Sequence, residues 1–279
     1  MVLQKSQKIV VVTGGTRGIG YGTVKVLAET LPNDVIYMTG RDIVFGERVL
    51  KKLDCELMNK KHAEIRLHPL DITDEESCQI FAEHLEKEHG GLDILINNAG
   101  FAYKNNDPTP LEIQAEVTLN INYYGTKRIT DYLAPIMRQR GRIINICSQA
   151  GVMRGAYKNE YIDLVASPTS TYEDVDKLIE IYKEHCKKGL PVGDGTFAKT
   201  AYSVSKALEI ALTMIQAREF KAKKILVNCC CPGAVATRMT GFKGIFTPER
   251  GADCAVYLAT ARFLPSGMFF YLRKPIDWP

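Results

Sequence analysis

No apolar run in this chain approaches the ~20 residues needed to cross a bilayer, so no membrane-spanning helix and no membrane partner are expected. The opening Met1-Val-Leu-Gln-Lys-Ser-Gln7 lacks the apolar core of a secretory signal. The closing Ile-Asp-Trp-Pro carries no lipidation or peroxisomal signal. Basic blocks and aromatic–basic interleaving are absent, and the net charge is a mild +4, which leaves nucleic acid without a footprint. The eight cysteines form no C-x-x-C and no Cys/His group with ligand spacing, so neither a disulfide framework nor a metal site is expected. Cys229, Cys230 and Cys231 close an apolar run, where they pack as small hydrophobes. These absences leave the cytoplasm as the expected location.

What is present is an alternation of short apolar runs and longer helical patterns. Strand runs are expected at 8–12, 35–38, 63–67, 92–96, 142–146 and 225–229, with a possible seventh at 268–272. Helices are expected at 18–31, 45–58, 74–89, 111–120, 125–138 and 199–220. Continuous apolar strands separated by helices make a parallel sheet covered on both faces. The expected fold is therefore α/β, a doubly wound, Rossmann-type parallel sheet in a single domain spanning 1–279. Residues 151–196 interrupt the alternation as a helical insertion after the fifth strand. Its main helix is expected to open on a capping box at Ser170-Thr-Tyr-Glu173 and to stop near Gly189.

The first strand runs into Thr13-Gly-Gly-Thr-Arg-Gly-Ile-Gly20 and then into a helix, the context a dinucleotide loop requires. Gly14 permits a tight turn, Gly18 lets backbone N–H groups reach a pyrophosphate, and Gly20 allows close helix–strand packing. Thr16, Arg17 and Ile19 belong to the same loop. The second strand ends Thr39-Gly40-Arg41, where an NAD site usually has an acid. Arg41 and Arg17 instead suit a 2′-phosphate, which favours NADPH. Asp42 is read as a cap of the next helix. Asp71 and Ile72 follow the third strand, where Asp71 can accept from an adenine amino group. Asn98, Ala99 and Gly100 follow the fourth, small enough for a flat cofactor to lie close.

Tyr202 and Lys206 lie one helical turn apart in Ala201-Tyr-Ser-Val-Ser-Lys206. A phenol titrates near ~10 and is a poor acid or base at neutral pH. A neighbouring ammonium lowers that value and makes the tyrosine a usable proton donor.

Taken together, Thr13-Gly-x-x-x-Gly-Ile-Gly20, Asn97-Asn-Ala-Gly100, Tyr202-x-x-x-Lys206 and Pro232-Gly233 resemble the short-chain dehydrogenase/reductase family. The resemblance spans nearly the whole chain and looks nearest to monomeric NADPH-dependent carbonyl reductases. Asp107–Thr118, Cys230-Cys-Pro-Gly233 and the long stretch between Ser148 and Tyr202 point that way. It implies a catalytic set of Asn122, Ser148, Tyr202 and Lys206. Ser148 would hold a carbonyl oxygen, Tyr202 would protonate it, Lys206 would bind the nicotinamide ribose, and Asn122 would position Lys206 and a water. Pro232 and Gly233, backbone at Val235 and the Thr237 hydroxyl would hold the nicotinamide amide. Ala234 replaces a tryptophan common in such reductases, so a wider pocket is expected. The activity implied is reduction of aldehydes, ketones or quinones. A non-catalytic NADPH-binding sensor and a specific steroid, prostaglandin or pterin dehydrogenase remain alternatives. Relatives with a short connection before the Tyr/Lys helix assemble through that helix, and an extra helix would cover it, so a monomer is expected.

Overall fold

The computed structural model describes residues 7–104 and 106–279, so the reading of the N-terminal segment bears on Met1–Ser6, outside the described residues. Strands Ile9–Val12 (β1), Val35–Gly40 (β2), Glu64–Pro69 (β3), Leu92–Asn97 (β4), Met137–Ile146 (β5), Leu226–Cys231 (β6), Phe269–Tyr271 (β7) and Lys274–Ile276 (β8) form one sheet. Its order is β3-β2-β1-β4-β5-β6-β7-β8. Every neighbouring pair is parallel except β7–β8. The helices are Gly18–Thr30 (α1), Ile43–Leu57 (α2), Glu75–His89 (α3), Leu111–Leu119 (α4), Thr126–Leu133 (α5), Asn159–Ala166 (α6), Tyr172–Lys187 (α7), Ala201–Glu219 (α8) and Pro248–Thr260 (α9).

The strands read as continuous apolar runs because both sheet faces are covered. Val10 and Val12 of β1 pack into a core with α1, α2 and α9, whereas Ile9 and Val11 pack into one with α3 and α5. The chain reverses direction across the sheet between β1 and β4, and a doubly wound fold leaves its crevice beyond the carboxyl ends of those strands.

Four local expectations are corrected. The helix expected at 125–138 ends at Leu133 with Ala134 as its still-helical cap, because Pro135 has no N–H to continue the ladder; the chain is already in β5 at Met137. The expected break between 120 and 125 is instead a π-helix, Asn120–Gly125, that joins α4 to α5 without interruption. The capping box lies one residue later than expected. Thr171 is the N-cap, and Asp174 accepts from the Thr171 backbone N–H at 2.8 Å. Ser170 instead donates its hydroxyl to the Leu164 carbonyl. Finally, α9 and β8 were not expected. α9 starts with Thr247 accepting from Arg250 N–H and Pro248 in the first turn, and it packs closely on α1.

Among the described residues, no helix is long and apolar enough to cross a membrane. No group of His, Cys, Asp and Glu there is arranged to hold a metal ion. The cysteines are free thiols, and only Cys55 is exposed. α6 and α7 lie between β5 and α8, and α7 shares a core with α8 through Val175, Leu178 and Tyr182.

Candidate active site

Thr13 closes the end of β1 onto the end of β4. Its N–H donates to the Ile96 carbonyl at 3.0 Å, and its hydroxyl accepts from the N–H groups of Asn98 and Ala99, each at 3.0 Å. Asn98 returns the clamp by donating its amide to the carbonyls of Thr13 (2.9 Å) and Gly14 (3.1 Å). The glycine loop is thus fixed before any ligand arrives. Gly14 takes φ +60°, and a Cβ there would approach Ala99 Cα to 3.0 Å. A Cβ on Gly20 would lie 2.3 Å from the Gly14 carbonyl oxygen. α1 opens with Arg17 at its N-cap, where no side chain caps the helix and the first turn holds no acid. The positive end of the helix is therefore left for an anion.

A cleft of about 470 Å³ opens at this point. The loop residues Gly14, Thr16, Arg17, Gly18 and Ile19 form one wall. Arg41, Asp71 and Ile72 line one end, Asn98, Ala99 and Gly100 the middle, and Tyr202, Lys206, Pro232 and Thr237 the other end. Gly20, Asn122, Ser148, Gly233 and Val235 do not line it. Gly20 and Gly233 serve close packing: a Cβ on Gly233, at φ +79°, would meet the Phe246 ring at 2.6 Å. The Val235 side chain packs against Gly251 of α9, and its carbonyl accepts from the Thr240 hydroxyl at 2.7 Å. Ala234 is exposed on the loop. The apolar lining beside it comes from Met239 and Phe242, both exposed and neither anticipated from sequence.

The arginine end has a definite geometry. Asp42 is the N-cap of α2, accepting from Phe45 N–H at 2.9 Å, so its carboxylate is already engaged. The Arg17 guanidinium stacks over the Phe45 ring at 5.1 Å. Arg41 is largely exposed, with its nearest acid oxygen, Asp71 Oδ2, at 3.8 Å. Asp71 Oδ1 accepts from both the N–H and the hydroxyl of Thr73, which leaves only the other oxygen free for an adenine.

At the opposite end, Ser148 follows β5 and its hydroxyl accepts from Ala150 N–H at 3.1 Å. The same hydroxyl is near enough to the Tyr202 phenol to draw its titration down. Thr200 caps α8 and accepts from Ser203 N–H, which starts the helix so that Tyr202 and Lys206 share its cleft-facing side. The Lys206 ammonium lies 5.7 Å from the Tyr202 ring centre. Ser203 bonds to Thr200, and Ser205 donates to the Tyr202 carbonyl, so neither serine competes with Ser148.

Asn122 is fully buried in the π-helix, a local geometry often found at functional sites. Its oxygen accepts from Phe101 N–H (2.8 Å), and its nitrogen donates to the Phe101 carbonyl (2.9 Å) and the Ser205 hydroxyl (2.8 Å). It ties the loop after β4 to α8. Lys206 finds its partners elsewhere: it donates to the Ile146 carbonyl at 2.8 Å and forms an ion pair with the Glu209 carboxylate at 2.6 Å. Glu209 was not anticipated; on sequence it reads as one polar position in an amphipathic helix.

The titration of Tyr202 corrects a simple expectation. Burial pushes the phenol above its usual range. Lys206 draws it down, Glu209 pushes it up and the Ser148 hydroxyl draws it down again; the net direction is upward. Burial alone would lower Lys206, but Glu209 and Tyr202 override it and hold the ammonium protonated.

Comparison with known proteins gives a consistent picture. Residues 8–162 and 192–244 match the family model described as short chain dehydrogenase. The unmatched stretch 163–191 contains α7. The chain is 39% identical to carbonyl reductase (NADPH) 1 of Homo sapiens, over 97% of this chain and 98% of that protein. It is 38% identical to carbonyl reductase (NADPH) 3 of Mus musculus, over 92% of each. Among solved structures, salutaridine reductase from Papaver somniferum superposes with a TM-score of 0.85 at 28% identity, covering 95% of this chain and 99% of that one.

Proposed function

The chain belongs to the short-chain dehydrogenase family, and on that premise we propose that it is an NADPH-dependent reductase of aldehydes, ketones or quinones, with Tyr202 as proton donor. The observation that carries the reading is that Tyr202 and Lys206, with Ser148 near Tyr202, lie at one end of a cleft whose other end presents an open helix terminus and two arginines. The cleft fits a dinucleotide on its own chemistry, because the glycine loop has no room for side chains and the α1 terminus has no internal acceptor. NADPH, when bound, supplies hydride to the substrate carbon. The chain's residues do the rest. The α1 terminus and the glycine loop bind the pyrophosphate. Arg17 and Arg41 bind the 2′-phosphate. The Ser148 hydroxyl donates to the substrate oxygen, and Tyr202 transfers its proton to that oxygen as negative charge develops there. Lys206 stays positive beside Tyr202 and favours departure of that proton. The substrate side is walled by Met239 and Phe242, which suits apolar carbonyl compounds.

A panel of aldehydes, ketones and quinones assayed with NADPH and NADH side by side tests the reading. Turnover of none of them with NADPH would refute it. Arg41→Asp should raise the NADPH KM by about 10–100-fold, the loss of one charge-assisted contact, and should leave the NADH KM unchanged or lower. Equal effects on the two cofactors would remove Arg41 from the phosphate site.

We read the whole chain as one catalytic domain, with α6 and α7 packed onto it. α7 shares a core with α8, which supports a monomer. Sedimentation at micromolar concentration should show a single species of 31.2 kDa, and a dimer or tetramer would contradict this. The free thiols support a reducing, cytoplasmic compartment.

A further inference from the structure

We infer that Glu209 is a positioning residue for this reaction: its carboxylate fixes the Lys206 ammonium in place and offsets part of that charge at Tyr202. The inference rests on the reductase reading above. Its first support is geometric. Glu209 and Lys206 are both buried, and their Oε2 and Nζ atoms are 2.6 Å apart at i,i+3 on α8. The Ile146 carbonyl accepts from Lys206 at 2.8 Å, and Glu209 holds the same ammonium by charge at close range, its Oε2 making no hydrogen bond. The lysine is thereby held by β5 and by its own helix where it lines the cleft.

The second support is energetic. A buried ion pair stabilises a fold no better than apolar side chains of similar volume, so stability alone does not account for an acid at this position. Fourteen of the nineteen residues of α8 are buried, and an apolar side chain would pack there without desolvating a charge. What the carboxylate changes is the field at Tyr202. Lys206 alone draws the phenol proton away, whereas Glu209 opposes that pull. A reductase needs Tyr202 protonated at the start of each turnover. A site that offsets the lysine keeps the proton on Tyr202 to higher pH and favours reduction over alcohol oxidation.

The groups that titrate around this carboxylate can be named. Lys206 and Tyr202 face it from α8, Cys147 faces it from the end of β5, and the Thr126 hydroxyl at the head of α5 lies near it without a hydrogen bond. Cys231 adds to the field at Tyr202 from the end of β6. Burial raises the Cys147 thiol, so it stays neutral. Burial pushes Glu209 up to about 7, against the opposing pull of Lys206 and Thr126. The carboxylate is therefore charged in the alkaline range, where Tyr202 would otherwise lose its proton.

The test compares the pH profile of carbonyl reduction in the parent with that of Glu209→Gln. The alkaline limb of kcat/KM should move down by about one pH unit, the effect of removing one nearby charge. Glu209→Met, which keeps the side-chain volume and removes the charge, should move the limb the same way. A merely structural role would lower the rate at all pH values without moving the limb. An activity-independent arm uses protein labelled with 13Cζ-tyrosine, with the Tyr202 signal assigned by its loss in Tyr202→Phe. That signal should titrate at lower pH in Glu209→Gln. Superposed limbs and superposed titrations would overturn the inference. If Glu209→Gln does not fold, an unmoved limb and an unmoved signal in Glu209→Met would do so alone. A parent without turnover would count against the reductase reading, and the tyrosine titration would still decide the role of Glu209.

Discussion

Tyr202→Phe should abolish carbonyl reduction while leaving NADPH binding intact. The phenol lines the cleft beside Lys206, and on the proposed reading its removal would leave Ser148 to hold the substrate oxygen without protonating it. Positioned general acids contribute about 10²–10⁴ in rate, so a loss near 10³ in kcat is expected, equivalent to about 4 kcal/mol in the barrier. The ring remains, so the packing of α8 is preserved. Cofactor affinity, followed by the fluorescence of bound NADPH, should stay at the parent value. A variant retaining more than about a tenth of the parent kcat would refute the assignment of Tyr202 as donor.

Gly20→Ala should damage both the fold and cofactor binding. The added methyl would lie 2.3 Å from the Gly14 carbonyl oxygen and 2.4 Å from Asn98 Nδ2. One of these is backbone of the glycine loop and the other is the amide that clamps it, so neither can swing aside without breaking the Asn98–Gly14 bond. Overpacking of this kind costs about 1–3 kcal/mol or more, a fall of about 5 °C in Tm for the ligand-free protein. The loop displaced in the process is the one proposed to hold the pyrophosphate, so NADPH affinity should fall by at least about 100-fold, the loss of two or more backbone contacts. Gly90→Ala is the control. Gly90, unlike the helical Gly20, has a left-handed backbone, at φ +66°, and faces open space, so only the backbone penalty of about 1 kcal/mol applies and NADPH binding should not change. Parent-like NADPH affinity in Gly20→Ala would remove the loop from the cofactor site.

The parts of this protein that could be read from sequence are those whose cause is local. The glycine loop was legible because a strand, three spaced glycines and a helix start follow one another within a few residues. The inner strands were legible because burial on both faces leaves runs such as Ile9–Val12 without a polar residue. The Tyr202/Lys206 pair was legible because one helical turn fixes their side. α9 was missed although its signals are local: a capping threonine, Pro248 in the first turn and a buried face that includes Ala252, Ala255 and Val256. β8 was missed because Lys274 and Pro275 suit only the antiparallel edge of a sheet, a place that no local pattern specifies. Glu209 was invisible for a different reason. A glutamate in an amphipathic helix ordinarily faces water, and only the packing of α4, α7 and the sheet around α8 turns that position inward. The same limit applies to the net direction of Tyr202, since sequence supplies the neighbouring cation but not the burial that outweighs it.

The wide turn at Asn120–Gly125 has a consequence for how the polypeptide is phased. One surplus residue in a helix rotates everything after it by about 100° relative to regular α pitch. That offset lets Leu119 and Ala115 on one side and Ile129 and Leu133 on the other enter different cores, although they belong to one unbroken rod. Excising a single residue from the turn would restore ideal pitch at the expense of this phasing. Either Ile129 and Leu133 would swing out from beneath the sheet, or Asn122 would lose its grip on Phe101 and Ser205. The irregularity is the element that allows one rod to serve two interiors at once.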